Sequence, residues 1–246
     1  MSVKPAKERE PLAFLKSLIA LLLIALCIWA AQWQFQRGID RHHRNSAIES
    51  QLTQATVDIS KISSTNASSV SPYEWRTVTA TGTFNTSEQI LLKNRYFEGV
   101  YGYEVLTRFK LTDNRYIWVD RGWVKAGADA KTAPMTTVVP DGEVSLVARV
   151  RLDRSLPVGA FFALPSSGSG LISKLNAQTG FKSEGFYLDL ISGSDTALTP
   201  AVAAQLPELS DGPHLAYSLQ WIFFAGLIVY GRILIRRGQI LTRKEL

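Results

Sequence analysis

The sequence predicts a membrane protein in which two transmembrane α-helices flank a mostly antiparallel β domain, barrel- or sandwich-like and α+β in class. Three observations predict it. Two apolar windows of twenty residues, Leu12 to Ala31 and Gly212 to Gly231, lie near the ends of a 246-residue chain. Between them runs a series of β-branched and aromatic segments separated by turn residues. The formal net charge of +6 is carried by the two tails, so the part between the helices is neutral overall.

The first window holds Lys16 as its only charge and the second holds no Asp, Glu, Lys or Arg. At 1.5 Å per residue each reaches roughly 30 Å, the thickness of a bilayer's hydrocarbon core. A buried helix of a soluble protein rarely runs so far without a polar stripe. Cleavage after Ala30 or Ala31 would place Ile28 or Trp29 where a signal peptidase requires a small residue, so the first helix is expected to be retained as an anchor. Leu26 before Cys27 argues against a lipoprotein signal, and Glu8 and Glu10 argue against a mitochondrial transit peptide. Orientation comes from the second helix. No Lys or Arg occurs between Lys182 and Arg232, and five basic residues stand from Arg232 onward. The positive-inside rule therefore places both termini in the cytoplasm and the centre outside it. The expected organisation is a cytoplasmic tail (1–11), a first span (12–34), an extracytoplasmic domain (35–211), a second span (212–235) and a basic cytoplasmic tail (236–246). A basic pI of this origin reports topology in a plasma membrane, and no nucleic-acid partner is expected.

Within the domain, "QFQRGIDRHHRNSAIESQL" continues the first helix out of the membrane, and the Ser/Thr-rich stretch 56–71 reads as a loop. Six strands follow at 75–84, 88–94, 101–111, 115–124, 143–152 and 185–192, with one short helix at 170–179. Closely spaced strands of this kind curl into a barrel or sandwich. Arg121-Gly122-Trp123, in "IWVDRGWV", falls where a strand turns or bulges. A bulge at Gly122, with Trp123 in the core and Arg121 paired to a carboxylate, is the structural reading.

The chain shows no G-x-S-x-G elbow, no H-E-x-x-H and no phosphate loop, and is not expected to be an enzyme. Its single cysteine, Cys27, lies in the first helix, so no intrachain disulfide forms. Three histidines, His42, His43 and His214, are too few for a His-rich metal centre. His42 and His43 stand among three arginines, which disfavours cation binding and suggests a solvated face.

In order along the chain stand "WQFQR" (33–37), "NRYFEGVYGYEVLTRF" (94–109), "IWVDRGWV" (117–124) and "PHLAYSLQWIFFA" (213–225). This ordered set resembles the Surfeit locus protein 1 family over about Leu12 to Arg237. The matching positions are Trp33, Gln34, Arg37, Arg95, Gly102, Arg121, Gly122, Trp123, His214, Tyr217 and Trp221. The connection 126–141 and the stretch after Pro157 match no family motif. The resemblance implies an assembly factor for haem-copper (aa3-type) cytochrome c oxidase that assists placement of haem a in subunit I. It implies a transient haem a cofactor. The partners it implies are subunit I, other oxidase subunits or assembly factors, and the lipid bilayer. It points to His214, Tyr217, Trp221 and Arg121 as cofactor-binding residues, with His214 as the haem iron ligand and no other metal.

The physics agrees with such a role. The free N–H groups at a helix start favour a neutral imidazole, the form that ligates iron. His214, Tyr217, Ser218 and Trp221 recur at helical spacing, and Trp and Tyr suit the membrane interface. Against this stands an interfacial histidine bonded to the domain, among ordinary aromatic-belt residues. Two competing functions remain: an accessory subunit that stays bound to the mature oxidase or a respiratory supercomplex, and an unrelated anchored enzyme or sensor.

Overall fold

A computed structural model of the chain describes residues 11–62, 67–128, 132–152 and 170–241. The chain divides into two compact units, residues 1–46 with 208–246, and residues 47–207.

The first unit contains two apolar helices, most of α1 (Ala13–Thr53) and all of α4 (His214–Leu241). Both are long and apolar enough to cross a membrane. Their large side chains point outward: Leu21 is 64% exposed, Leu22 63% and Phe223 62%. In water that sheath would be strongly unfavourable, whereas lipid is its natural solvent. Most of the residues withdrawn from the surface are small or polar instead. In α1 they include Ser17, Ala20, Ile24, Cys27, Ala31, Gln34, Gly38, Arg41 and Asn45, at alternating steps of three and four, with Ala30 buried beside them. In α4 they are His214, Ser218, Trp221, Ala225, Ile228 and Arg232, again at steps of four and three. Each set forms one straight seam. Small residues let the backbones approach, so that Ser218 Oγ donates to the Ala31 carbonyl at 2.9 Å. Near the far end Arg232 donates to Ser17 Oγ at 3.0 Å and to the Ala13 carbonyl at 3.2 Å, which satisfies a cation inside an apolar helix.

The second unit is a closed five-stranded barrel built from β2 (Thr77–Phe97), β3 (Val100–Leu111), β4 (Tyr116–Lys125), β5 (Glu143–Leu152) and β6 (Phe186–Gly193). The order is β2-β3-β4-β6-β5, and β5 returns to β2 to close the ring. All pairs are antiparallel except β4 with β6. A short α3 (Leu171–Thr179) lies between β5 and β6 in sequence.

Two expectations are corrected. The segments 75–84 and 88–94 form one 21-residue strand, β2. "NTS" at 85–87 looks like a break because Asn favours turns. Here Asn85 Oδ1 accepts from the Ser87 amide and hydroxyl, and the ladder with β3 shifts register across it without ending. The stretch 56–71 is also more than a loop. Val57–Asp58 forms β1, parallel to Val78 and Thr79, and a short α2 spans Ala67–Val70. Ile59, Ile62 and Val70 are buried in the barrel core. Ser and Thr around them hide this apolar spacing from composition alone. The stretch after Pro157 up to residue 169, including Gly168 and Ser169, and residues 129–131 of the 126–141 connection lie outside the described residues.

Alternation on the strands gives the barrel two apolar layers. Inside are Phe109, Ile117, Val119, Leu146, Ala148, Phe186 and Leu188. On the opposite face Leu106, Trp118 and Tyr187 pack with Ile172 and Leu175 of α3, and Trp118 Nε1 donates to Asn176 Oδ1 at 3.2 Å.

Candidate functional site

His214 is the first residue of α4, half-buried on the helix seam. Its Nδ1 lies 3.0 Å from Gln34 Oε1. An amide oxygen only accepts, so in the neutral ring Nδ1 carries the proton and Nε2 keeps its lone pair. This hydrogen-bond partner is on α1, where the interfacial alternative expected one in the β domain. Trp221 lies two turns along the same seam and meets Phe224 edge-on at 5.8 Å. Tyr217 is 47% exposed, off the seam that holds His214 and Trp221. Arg37 lies over the Trp33 ring at 5.2 Å.

About two turns further along α1 stands a second polar group that no local sequence pattern reveals. His42 Nδ1 is 2.9 Å from Asp211 Oδ2, and Asn45 Nδ2 donates to Asp211 Oδ1 at 3.0 Å. The hydrogen bond from His42, with that from Asn45, holds the Asp211 carboxyl below its usual range. Arg41 donates to the Ser210 carbonyl. His42 thus has an anionic partner where a face crowded by arginines was expected. That partner is 169 positions away, and no local spacing could reveal it.

Arg121 is in the other unit, on β4. Nη1 donates to Gln89 Oε1 at 3.0 Å and to Thr107 Oγ1 at 3.5 Å, and Nη2 donates to the Thr137 carbonyl. The guanidinium lies 5.8 Å from the Phe84 ring centre. The carboxylate expected beside it is absent among the described residues. Gly122 has φ of +92°, and the Trp123 amide donates to the Val202 carbonyl at 2.8 Å. The register between β3 and β4 shifts at this point, which makes "RGW" a bulge that also binds the 200–202 segment. Trp123 is half-buried, tilted against Phe97 at 5.6 Å, with Nε1 donating to the Arg95 carbonyl.

The residue before this motif belongs to a buried ionic cluster that the sequence did not announce. Asp120 and Asp189 are directly opposed in the β4–β6 ladder and are 2% and 1% exposed. Burial, then the nearby Glu104 and Asp189, push the Asp120 carboxyl well above the carboxylate range. Its Oδ1 accepts from the Gly122 amide at 2.8 Å. Asp189 faces Arg151 at 2.5 Å. Burial opposes the Arg151 charge, but Asp189 more than restores it. Alternation on buried strands was legible, but which polar residues meet across them was not.

The described residues hold no group of three or more His, Cys, Asp or Glu able to bind a metal ion. A family model described as the SURF1 family matches residues 21–226. The chain is 29% identical over 239 residues to an uncharacterised SURF1-like protein of Mycobacterium bovis, covering 90% of this chain and 86% of the relative. Uncharacterised SURF1-like proteins from two strains of Mycobacterium tuberculosis match with the same identity and coverage.

Proposed function

This chain belongs to the SURF1 family, and from that premise we propose that it is an assembly factor for aa3-type cytochrome c oxidase that assists haem a placement in subunit I. The observation that carries the reading is the His214–Gln34 hydrogen bond. A metal-ligating histidine commonly has its second ring nitrogen fixed by a hydrogen-bond acceptor, which sets the tautomer and the ring plane. Gln34 does this for His214, at the start of an apolar helix with Trp221 on the same face. The residues fit a haem group. His214 would supply the axial nitrogen, with Trp221 on the same seam and Tyr217 on the adjoining exposed face, and the bound haem would be cargo on its way to subunit I. In this reading the protein holds, orients and releases, and performs no catalysis.

The orientation proposed has both termini in the cytoplasm and the barrel outside, in the plasma membrane. A reporter active only outside the cytoplasm, fused after Leu246, is expected to stay silent; activity there would reverse the topology.

Cells lacking the chain are expected to lose haem a absorbance of the assembled oxidase while subunit I is still made. The wild-type gene should restore it and His214→Ala should not, although His214→Ala protein accumulates normally. Gln34→Ala is expected to weaken haem retention in the purified protein by about 10–100-fold. An unchanged oxidase spectrum in the deletion strain would end the assembly reading. Stoichiometric recovery of the chain in purified, active oxidase would favour an accessory subunit instead.

A further inference from the structure

Most half-buried or buried arginines of the barrel unit are neutralised by a carboxylate. Arg95 meets Glu104, Arg108 meets Glu88, Arg115 meets Asp113 and Arg151 meets Asp189, all at 2.5 to 2.8 Å. Arg121 differs. Its acceptors are an amide oxygen, a hydroxyl and a backbone carbonyl, all neutral. No ion pair joins it to any described carboxylate. A half-buried guanidinium without a counter-charge is an unfavourable arrangement, and burial alone pulls its pKa down. Fixing its Nη atoms on Gln89 and Thr137 orients the planar fork without neutralising it.

That fork lines a cleft. Its other walls include Val105, Leu190, Trp123, Thr199 and Pro200. The cleft holds about 40 Å³. One water needs about 10–15 Å³ by this measure, so the space suits a group of roughly three or four heavy atoms. It excludes a large ring but admits the end of a molecule. Guanidinium matches carboxylate in geometry and charge, and Val105, Leu190, Trp123 and Pro200 supply apolar contact just beyond it.

We propose that this cleft binds a carboxylate carried on a short apolar stem, with Arg121 as the counter-charge. Arg121 is also among the cofactor-binding residues that the family resemblance implies, but the proposal rests on the cleft around it, and its test reads butyrate binding apart from oxidase assembly.

The test uses the purified full-length chain in detergent micelles, with thermal unfolding followed at constant ionic strength. Butyrate is the probe for an apolar stem, N-acetylglycine for a peptide-like stem, and sulfate for a general anion. Butyrate should raise the midpoint saturably, as a ligand of the folded state does, and more tightly than the other two. Arg121→Gln, measured against its own midpoint, should need at least tenfold more butyrate or lose the effect. Thr199→Trp, which fills the mouth from an exposed position and leaves Arg121 in place, should lose it as well; it serves if Arg121→Gln does not fold. Absence of a saturable shift in the wild type would overturn the site, as would an unchanged shift in either variant. Equal shifts with sulfate would reduce it to a salt effect, and tighter binding of N-acetylglycine would reject the apolar stem.

Discussion

Replacing Arg151 by Ala is expected to lower the barrel's stability by about 3–5 kcal/mol, the cost of breaking a buried pair by removing one partner. Against a total of about 5–15 kcal/mol this is a large fraction, and it corresponds to a fall in Tm of about 6–20 °C. Arg151 and Asp189 are 7% and 2% exposed in their side chains. The guanidinium also lies 3.8 Å from the Trp75 ring centre and 5.8 Å from that of Tyr187, so the truncation removes packing as well as charge. What remains is Asp189 buried beside Asp120, with Glu104 also in electrostatic reach.

The loss should depend on pH, with a definite sign. Burial already raises the Asp189 pKa above 3.8, and Arg151 is the main influence that lowers it. Without that cation the folded-state pKa rises further. A carboxyl raised on folding favours the native state below its unfolded pKa, and this contribution is lost as pH rises towards the folded pKa. Arg151→Ala should therefore lie closest to wild type near pH 4 and furthest from it at pH 8, by thermal unfolding of the full-length protein. A deficit equal at all pH values would show that lost packing, not the stranded carboxylate, is responsible. Combining Arg151→Met with Asp189→Leu should recover much of the stability, since no unpaired charge remains.

Gly122→Ala is expected to be nearly as damaging, for steric reasons. At φ of +92° an L side chain is strained, at a cost of about 1–3 kcal/mol. A Cβ at this position would also stand 2.3 Å from the Val202 carbonyl oxygen and 2.9 Å from Pro200 Cβ. Relief requires the 200–202 segment to move, which breaks the bond from the Trp123 amide to Val202 and costs about 1 kcal/mol more. Gly142 provides the comparison. Its φ is +88°, yet nothing lies within 4 Å of a Cβ built there. Gly142→Ala should thus report strain alone, and Gly122→Ala should exceed it and expose residues 200–207 to protease. Equal effects at both sites would mean that the 200–202 segment is not held by the bulge.

Much of this protein is legible in the order of its residues. Length and polarity alone mark the two apolar helices, because a bilayer is so different a solvent that twenty apolar residues declare themselves. β-branched and aromatic runs between turn residues mark β3 to β6 within a residue or two. A bulge at Gly122 follows from a glycine inside a strand pattern.

Tertiary structure decided the rest. Whether "NTS" ends a strand depends on β3 continuing past it, and composition contains nothing of β3. The helix seam is hidden for a different reason. In water the packed stripe is apolar, but in lipid every face is apolar, and the packed stripe is the line of small and polar residues from Ser17 to Asn45. The partners of His214, His42 and Asp120 lie on other elements of the chain. Their chemistry follows from which strands and helices become neighbours: Gln34 fixes one imidazole, Asp211 engages another, and burial with Glu104 and Asp189 nearby raises the pKa of a buried aspartate. Arg121 is the converse, since its lack of a counter-charge among the described residues emerges only from which strands surround it. Sequence determines which groups are available, and folding decides which of them are left unsatisfied.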